Sequence, residues 1–359
     1  MRKPHIYVPC PDTEGAFGGV KTIYRQVQVL SSMGYPAFVV HRDGRSRVSF
    51  FENTARVESF QNIDLHPEDL LVLPEVYQEA LNSGRDEAMH RRLRRALTER
   101  LGRPASAIQL DETRALVAQS SRIVILNLNG FNVVKSFQAV GDDGLHPFDQ
   151  PKVEAMIVVS RQNEQMMRLA FPTLPVHYFH KSVDPSIFQP VAPKENRICY
   201  FNRKRRETIR QVITIAKRRR SFRDFDVTAM QSLSEAQVAR VMGSSKVFLS
   251  FSSTEGLPRP PMEAMMAGCI VVGFHGQGGR DYMLPDLTHP VEADDYSSFI
   301  ESLETVMDEL VAHPEQMKEK AEAARRYVIE NYSPEREEQE LASIWKQLVE
   351  PASSSRGTS

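Results

Sequence analysis

The sequence predicts an α/β protein built from two parallel sheets, each covered by helices. Two observations carry that prediction. Short apolar runs alternate with longer helical patterns through most of the 359 residues, and one proline-rich, aperiodic stretch divides the alternation into two series. Alternation of this kind belongs to a parallel sheet, because each crossover between parallel strands must run over a face of the sheet and is usually helical. At about 150 residues per domain, the length agrees with two domains.

The first series opens with a strand at 5–8, a loop through Gly15, Gly18 and Gly19, and a helix in which Ile23, Val27 and Leu30 recur near the 3.6-residue period. Gly34 ends that helix, and 37–40 is the next strand. Further buried strands are expected at 70–73, 123–128, 156–159 and 176–179. After His180 the chain carries Pro185, Pro190 and Pro193 with no periodicity, which marks a linker. The second series has strands at 198–201, 225–228, 247–251 and 269–274, with helices near 207–219, 235–242 and 260–267. Residues 298–332 and 335–348 read as charged amphipathic helix, and 351–359 as a disordered tail. The simplest architecture is two Rossmann-like domains, 1–183 and 184–334, with helix 335–350 packing back on the first.

Composition narrows the class. With 41% hydrophobic and 25% charged residues, 22 Pro and 18 Gly, the chain is neither collagenous, low-complexity nor a disulfide scaffold. Lys plus Arg number 45 against 46 Asp plus Glu, so attraction to nucleic acid or an anionic membrane needs a local patch. Cys10, Cys199 and Cys269 are odd in number and border apolar runs, as buried thiols in the cytoplasm do. No apolar run approaches the ~18 to 20 residues of a membrane span. Pro4, Pro9 and Pro11 interrupt the start before a signal-peptide core forms. A soluble or membrane-peripheral protein is expected.

The densest chemical signal lies between Lys246 and Phe274. A strand ends at Ser252, a polar loop carries Glu255, and Pro260 and Pro261 open a helix bearing Glu263, eight positions beyond Glu255. That loop sits at the carboxyl end of a strand, where open α/β sheets bind ligands, and the helix start is expected to offer unpaired N–H groups to a phosphate. Both carboxylates can face one crevice and accept hydrogen bonds from vicinal hydroxyls. A plain helix-dipole partner is the alternative for Glu263.

With Gly268, the strand after it and the Gly278–Gly279 turn, this segment resembles the nucleotide-sugar signature of retaining glycosyltransferase family 4. Collinear segments agree: Val183, Asp184, Phe188 and Pro190 resemble the family's interdomain strand end, and Ser160 its strand–Ser–helix step. Residues 17–40 resemble its glycine loop and first helix, so the resemblance covers about 5–335. It implies the GT-B fold, two Rossmann-like domains facing across a cleft, and transfer of a sugar from a nucleoside diphosphate sugar donor to a hydroxyl acceptor. Glu255 would then contact the sugar or the transferring centre, Glu263 would hold the ribose, and Gly256, Leu257 and Pro258 would line the donor site. Gly18 and Gly19 would admit the donor close to the backbone, since no Cβ intervenes. Arg203 matches the family's diphosphate-clamping Arg, and the role of its Lys falls among Lys204, Arg205 and Arg206. Fixed cations stabilise the leaving group, so neither a metal nor another cofactor is expected.

Two positions depart from the family. Asn127 and Asn129 stand at the strand end where relatives carry a His, and Asn binds a hydroxyl without acting as a base. Tyr282 replaces an acidic residue beyond the Gly-Gly turn, with Asp281 as its off-register substitute. Elsewhere, Pro74 and Glu75 end a strand, and Glu75 is either solvated or an acceptor contact. Asp142 and Asp143 read as a polar turn rather than a metal pair. Basic runs at 90–100 and 216–225 read as solvated helix faces. On a shared surface they would attract a lipid-linked glycan at a membrane, an anionic polysaccharide or, less favoured, nucleic acid, which would need Phe222 and Phe225 exposed for stacking. The competing functions are a GT-B epimerase and a non-catalytic sugar-nucleotide-binding protein.

Overall fold

The computed structural model describes residues 2–12, 18–44, 48, 51–81, 105–137, 146–202 and 205–349. Among the residues singled out in the sequence, Gly15, the run 90–100, Asp142, Asp143, Arg203, Lys204 and the tail 351–359 lie outside that set. The chain divides into two compact units, 1–158 with 166–178 and 340–359, and 159–165 with 179–339.

The first unit contains β1 (Ile6–Pro9), β2 (Ala37–His41), β3 (Val57–Ser59), β4 (Leu70–Pro74), β5 (Ile123–Asn127), β6 (Val153–Val158) and β7 (Val176–Tyr178). They form one parallel sheet in the order β3-β2-β1-β4-β5-β6-β7. Strands β1, β4 and β5 are buried at every residue, as expected of near-continuous apolar runs covered on both faces. Helix α1 (Gly18–Ser32) buries Val20, Ile23, Tyr24, Val27 and Leu30. Helices α2 (Ala105–Gln119) and α3 (Gly130–Ser136) follow β4 and β5. Helix α4 (Arg161–Ala170) then starts in residues of the second unit and ends in residues of the first. The strand order reverses between β1 and β4, so loops leaving their carboxyl ends diverge there and open a place for ligand.

The second unit holds β8 (Glu195–Phe201), β9 (Asp226–Met230), β10 (Ser245–Glu255), β11 (Ile270–Gln277) and β12 (His289–Val291), parallel in the order β12-β11-β10-β8-β9. Its order reverses between β8 and β10. Helices α5 (Arg206–Ala216), α6 (Glu235–Ser244), α7 (Arg259–Met266), α8 (Tyr296–Ala312) and α9 (Pro314–Asn331) belong to it. Ser234 and Gln237 cap α6 reciprocally, which fixes its first residue. Helix α10 (Pro334–Val349) ends in the first unit, where buried Trp345 donates its Nε1–H to Gln26 Oε1 on α1 at 2.8 Å.

The second core is aromatic. Phe299 stacks on Phe251 at 5.0 Å and meets Phe274 edge-on at 5.1 Å. Phe222 and Phe225 belong to the same core, so the stacking role that a nucleic-acid acceptor required is overturned. The basic run around them is paired with α8, Arg219 with Glu304 and Ser221 with Asp308. Among the described residues no helix is long and apolar enough to cross a membrane. Cys10, Cys199 and Cys269 are buried free thiols.

One half-buried cation fastens the amino edge of the second sheet. Lys194 Nζ donates to the carbonyls of Gly243, Ser245 and Ala267 at 2.7, 2.8 and 2.9 Å, where α6 and α7 end. A positive charge complements the negative ends of both helix dipoles, while burial pulls the ammonium's pKa down. Lys194→Met leaves these carbonyls without their donor, and urea unfolding is expected to show a loss of about 2–4 kcal/mol.

Candidate functional site

The site in the second unit begins where β10 outruns its sequence-predicted end. The strand continues through an irregularity between Ser252 and Glu255, and Glu255 pairs with Gln277 of β11. Glu255 is therefore the last residue of a strand, not part of a free loop. Immediately after it, a Cβ on residue 278 would lie 1.8 Å from the Gly256 carbonyl oxygen, so only glycine lets the two backbones meet. Tyr282 secures the next residue: fully buried, it donates its hydroxyl to the Pro258 carbonyl. Burial holds the Tyr282 phenol well above its ordinary pKa, and the nearby Tyr332, Glu255 and Glu263 push the same way. Both carboxylates of the Glu-x7-Glu pair thus lie within electrostatic reach of one hydroxyl.

Helix α7 presents Glu263 beside Arg259, whose Nε lies 2.9 Å from Glu263 Oε1. Burial works against the Arg259 charge, but the Glu263 carboxylate outweighs it and holds the guanidinium above its ordinary pKa. The sequence reading missed Arg259, although the four-residue spacing to Glu263 was its signal. The expected phosphate cradle at the start of α7 is overturned. Pro258, Pro260 and Pro261 have no N–H, so only Arg259 of these first four positions brings a donor.

Asp281 also departs from expectation. Its Oδ2 accepts the backbone N–H of Arg161 at 2.7 Å, the first residue of α4. Burial raises its pKa and the helix N–H groups oppose that rise. The carboxylate caps a helix, which corrects its reading as a sugar-binding substitute. Arg205 stands at the carboxyl end of β8, in a left-handed conformation that starts α5. Its guanidinium pairs with Asp294 and lies 5.2 Å above the Phe274 ring. The reversal between β8 and β10 accordingly brings Arg205 and the Glu255–Pro258 segment to the same sheet edge.

In the first unit, Gly18 and Gly19 open α1, and a Cβ on Gly19 would lie 3.3 Å from Leu128 Cδ1. Asn129 follows β5, and its Oδ1 accepts the Phe131 N–H at 3.2 Å, a cap on α3. Asn127 is fully buried, with its amide Nδ2 3.5 Å from Met156 Sδ. Glu75, just past β4, is only 2% exposed, so the solvated alternative is overturned. It accepts the Leu128 N–H at 3.0 Å and the Asn132 side-chain amide at 3.2 Å. Gly19, Leu128, Asn129 and Glu75 therefore meet around the carboxyl ends of β4 and β5. Among the described residues no cluster of His, Cys, Asp and Glu could hold a metal ion.

Residues 226–325 match the family model for glycosyl transferases group 1. That match lies wholly within the second unit. Its matched span contains Glu255, Glu263 and the Gly278 turn. The fold of the chain is GT-B, similar to that of sucrose-phosphate synthase from Thermosynechococcus elongatus. That match has 12% identity, covers 96% of this chain and 99% of that one, and has a TM-score of 0.65. Anabaena HepE, solved in complex with UDP and glucose, has the same fold at 10% identity, 97% and 100% coverage and a TM-score of 0.59. A curated alpha-1,6-glucosyltransferase of Actinobacillus pleuropneumoniae serotype 7 (strain AP76) is 26% identical over 173 residues, 43% of this chain and 46% of that protein. The aligned part spans about half the length of that relative.

Burial pushes the Glu75 pKa up to about 7, against the hydrogen bonds from Leu128 and Asn132. Between the ordinary carboxylate value and 7 the folded state binds a proton that the unfolded state lacks, so this contribution falls as pH rises through that window. Glu75→Gln removes the titration. Melting curves should show the wild type's advantage over Glu75→Gln to be larger at pH 5 than at pH 8.

Proposed function

We propose that the chain is a retaining, metal-independent glycosyltransferase of the family 4 type that moves a sugar from a nucleoside diphosphate sugar to a hydroxyl of a glycan or lipid-linked glycan. The observation that carries the proposal is the Glu255–Glu263 pair, held at the strand-order reversal of the unit that matches the group 1 glycosyltransferase model. UDP is the favoured nucleotide, supported by its presence in the solved HepE complex. Glu255 receives the sugar hydroxyls and Glu263 the ribose hydroxyls, while Arg203 and Lys204 neutralise the diphosphate, assisted by Arg205. Gly256, Leu257 and Pro258 border the sugar, and Gly18 and Gly19 leave room for the donor in the first unit.

In the transfer step the bond from the anomeric carbon to the diphosphate oxygen breaks. The acceptor oxygen bonds to that carbon on the same face, and the acceptor's proton passes to the departing diphosphate oxygen. This route needs no protein base, which fits the Asn127 and Asn129 positions; Asn129 supplies a hydrogen-bonding amide at the β5 end. The charge that develops on the diphosphate is met by fixed cations, the preorganised stabilisation that carries such reactions. The reaction is assigned to the cytoplasm, with the acceptor reached in solution or at a membrane surface.

A panel of nucleotide sugars, assayed for nucleoside diphosphate release and for transfer, tests the reading. Glu255→Ala is expected to lower turnover by about 100-fold or more, as loss of a transition-state contact does. Glu263→Gln keeps the neighbourhood of Arg259 filled and is expected to raise the donor KM with kcat nearly kept. Equal, small effects from both, or no donor bound at all, would sink the assignment.

A further inference from the structure

At the carboxyl edge of the first sheet, the segment leaving β1 carries a carboxylate with unusual support. Asp12 Oδ1 lies 2.7 Å from His41 Nδ1, and His41 Nε2 lies 2.9 Å from the Tyr24 hydroxyl. His41 closes β2 and Tyr24 lies on α1, at 2% and 0% exposure, whereas the Asp12 side chain is 29% exposed. A neutral imidazole satisfies both neighbours in one arrangement: Tyr24 donates O–H to Nε2, and Nδ1–H donates to Asp12. The proton order then runs outward from the core and ends on an acceptor.

The same segment is clamped independently from α2. Asp12 N–H donates to Gln109 Oε1 at 3.2 Å, and Gln109 Nε2 donates to the Cys10 carbonyl at 2.6 Å. Nearby, the buried Tyr77 hydroxyl has no hydrogen-bond partner among the described residues. Burial raises its pKa, and Cys10, Asp12 and Glu112 add to the rise, which places it within the field of Asp12. Burying polar groups is unfavourable unless each is matched, so a buried Tyr24–His41 pair that terminates on one part-exposed carboxylate, with buried Gln109 holding the backbone on either side of Pro11, is costly as mere packing. It serves to fix the position of that carboxylate at the edge where the strand order reverses.

We propose that Asp12 is the acceptor-binding carboxylate of the first unit. It accepts the O–H hydrogen bond of the hydroxyl to be glycosylated, and His41 acts as its positioning residue. This rests on the glycosyltransferase reading given above. Asp12 takes only a hydrogen bond; the proton itself leaves with the diphosphate oxygen, so the transfer step stays balanced. Arg42 pairs with Glu112 at 3.4 Å, so that cation already has a carboxylate partner, and the acceptor class proposed is a neutral, polyhydroxylated one whose hydroxyl donates to Asp12.

The test uses the full chain and two neutral glycosides, octyl β-D-glucopyranoside and maltose, with binding read by saturation-transfer NMR in wild type, Asp12→Asn and His41→Gln. At least one glycoside is expected to bind wild type, and to bind Asp12→Asn about tenfold or more weakly, the loss of one hydrogen bond to a charged group. His41→Gln is expected to weaken binding less. A slowly exchanging imidazole N–H resonance, present in wild type, should disappear in both variants, which a merely space-filling His41 would not require of Asp12→Asn. Equal glycoside binding by wild type and Asp12→Asn, or no glycoside binding by wild type, would overturn the proposal. A parallel UDP titration separates the two readings: unchanged UDP affinity in all three proteins leaves any glycoside defect to Asp12, whereas absence of UDP binding in wild type counts against the donor reading.

Discussion

The carbonyl of Gly256 occupies the space that any side chain on residue 278 would need. That one backbone contact fixes the carboxyl edge of the second sheet. It requires β10 and β11 to run side by side to Glu255 and Gln277, and it brings the chain to Pro258 in a position that the Tyr282 hydroxyl can hold. Helix α7 starts from that anchored proline and presents Glu263 one turn inside. The two carboxylates acquire their placement from close-packed backbone rather than from a flexible loop. A site built this way keeps its polar groups aligned before ligand arrives, which is the condition for electrostatic stabilisation without reorganisation.

The two edges of the second sheet are used differently. At the amino edge, Lys194 gathers the carbonyl ends of α6 and α7 around one half-buried ammonium, whose three short hydrogen bonds are all internal. At the carboxyl edge, charged groups occur in partly accessible pairs, Arg259 with Glu263 and Arg205 with Asp294. Each charge in these pairs has an opposite charge as its partner, and for Arg259 the Glu263 carboxylate outweighs the cost of burial.

Much of this was legible in the sequence. Strands β1, β4, β5, β10 and β11 are buried on both faces, and their continuous apolar runs announce them. The edge strands β3 and β12 escaped notice because three-residue runs such as Val57–Ser59 carry no pattern distinct from a loop. The sequence set Glu255 in a loop and Glu263 near a helix start, and only the family resemblance gave them roles; the structure moves Glu255 to the end of β10. Position-by-position reading failed where tertiary placement decides the role. Asp281 looks like a sugar ligand until the start of α4 is seen above it, and Glu75 looks solvated until Leu128 and Asn132 close over it. The proline pair opening α7 was read as a helix start, yet its cost in N–H donors follows from the same two residues. Asp12 and His41 lie 29 positions apart, and only the adjacency of β1 and β2 brings them together.

The central claim is that the Gly256–Gly278 edge of the second unit binds a nucleoside diphosphate. Amide hydrogen exchange of the full chain, with and without saturating UDP, tests it most directly. The account predicts new protection in peptides covering 202–206, 253–258 and 276–279, with the Lys194 edge unchanged. Protection absent from all three segments while UDP is bound would contradict it.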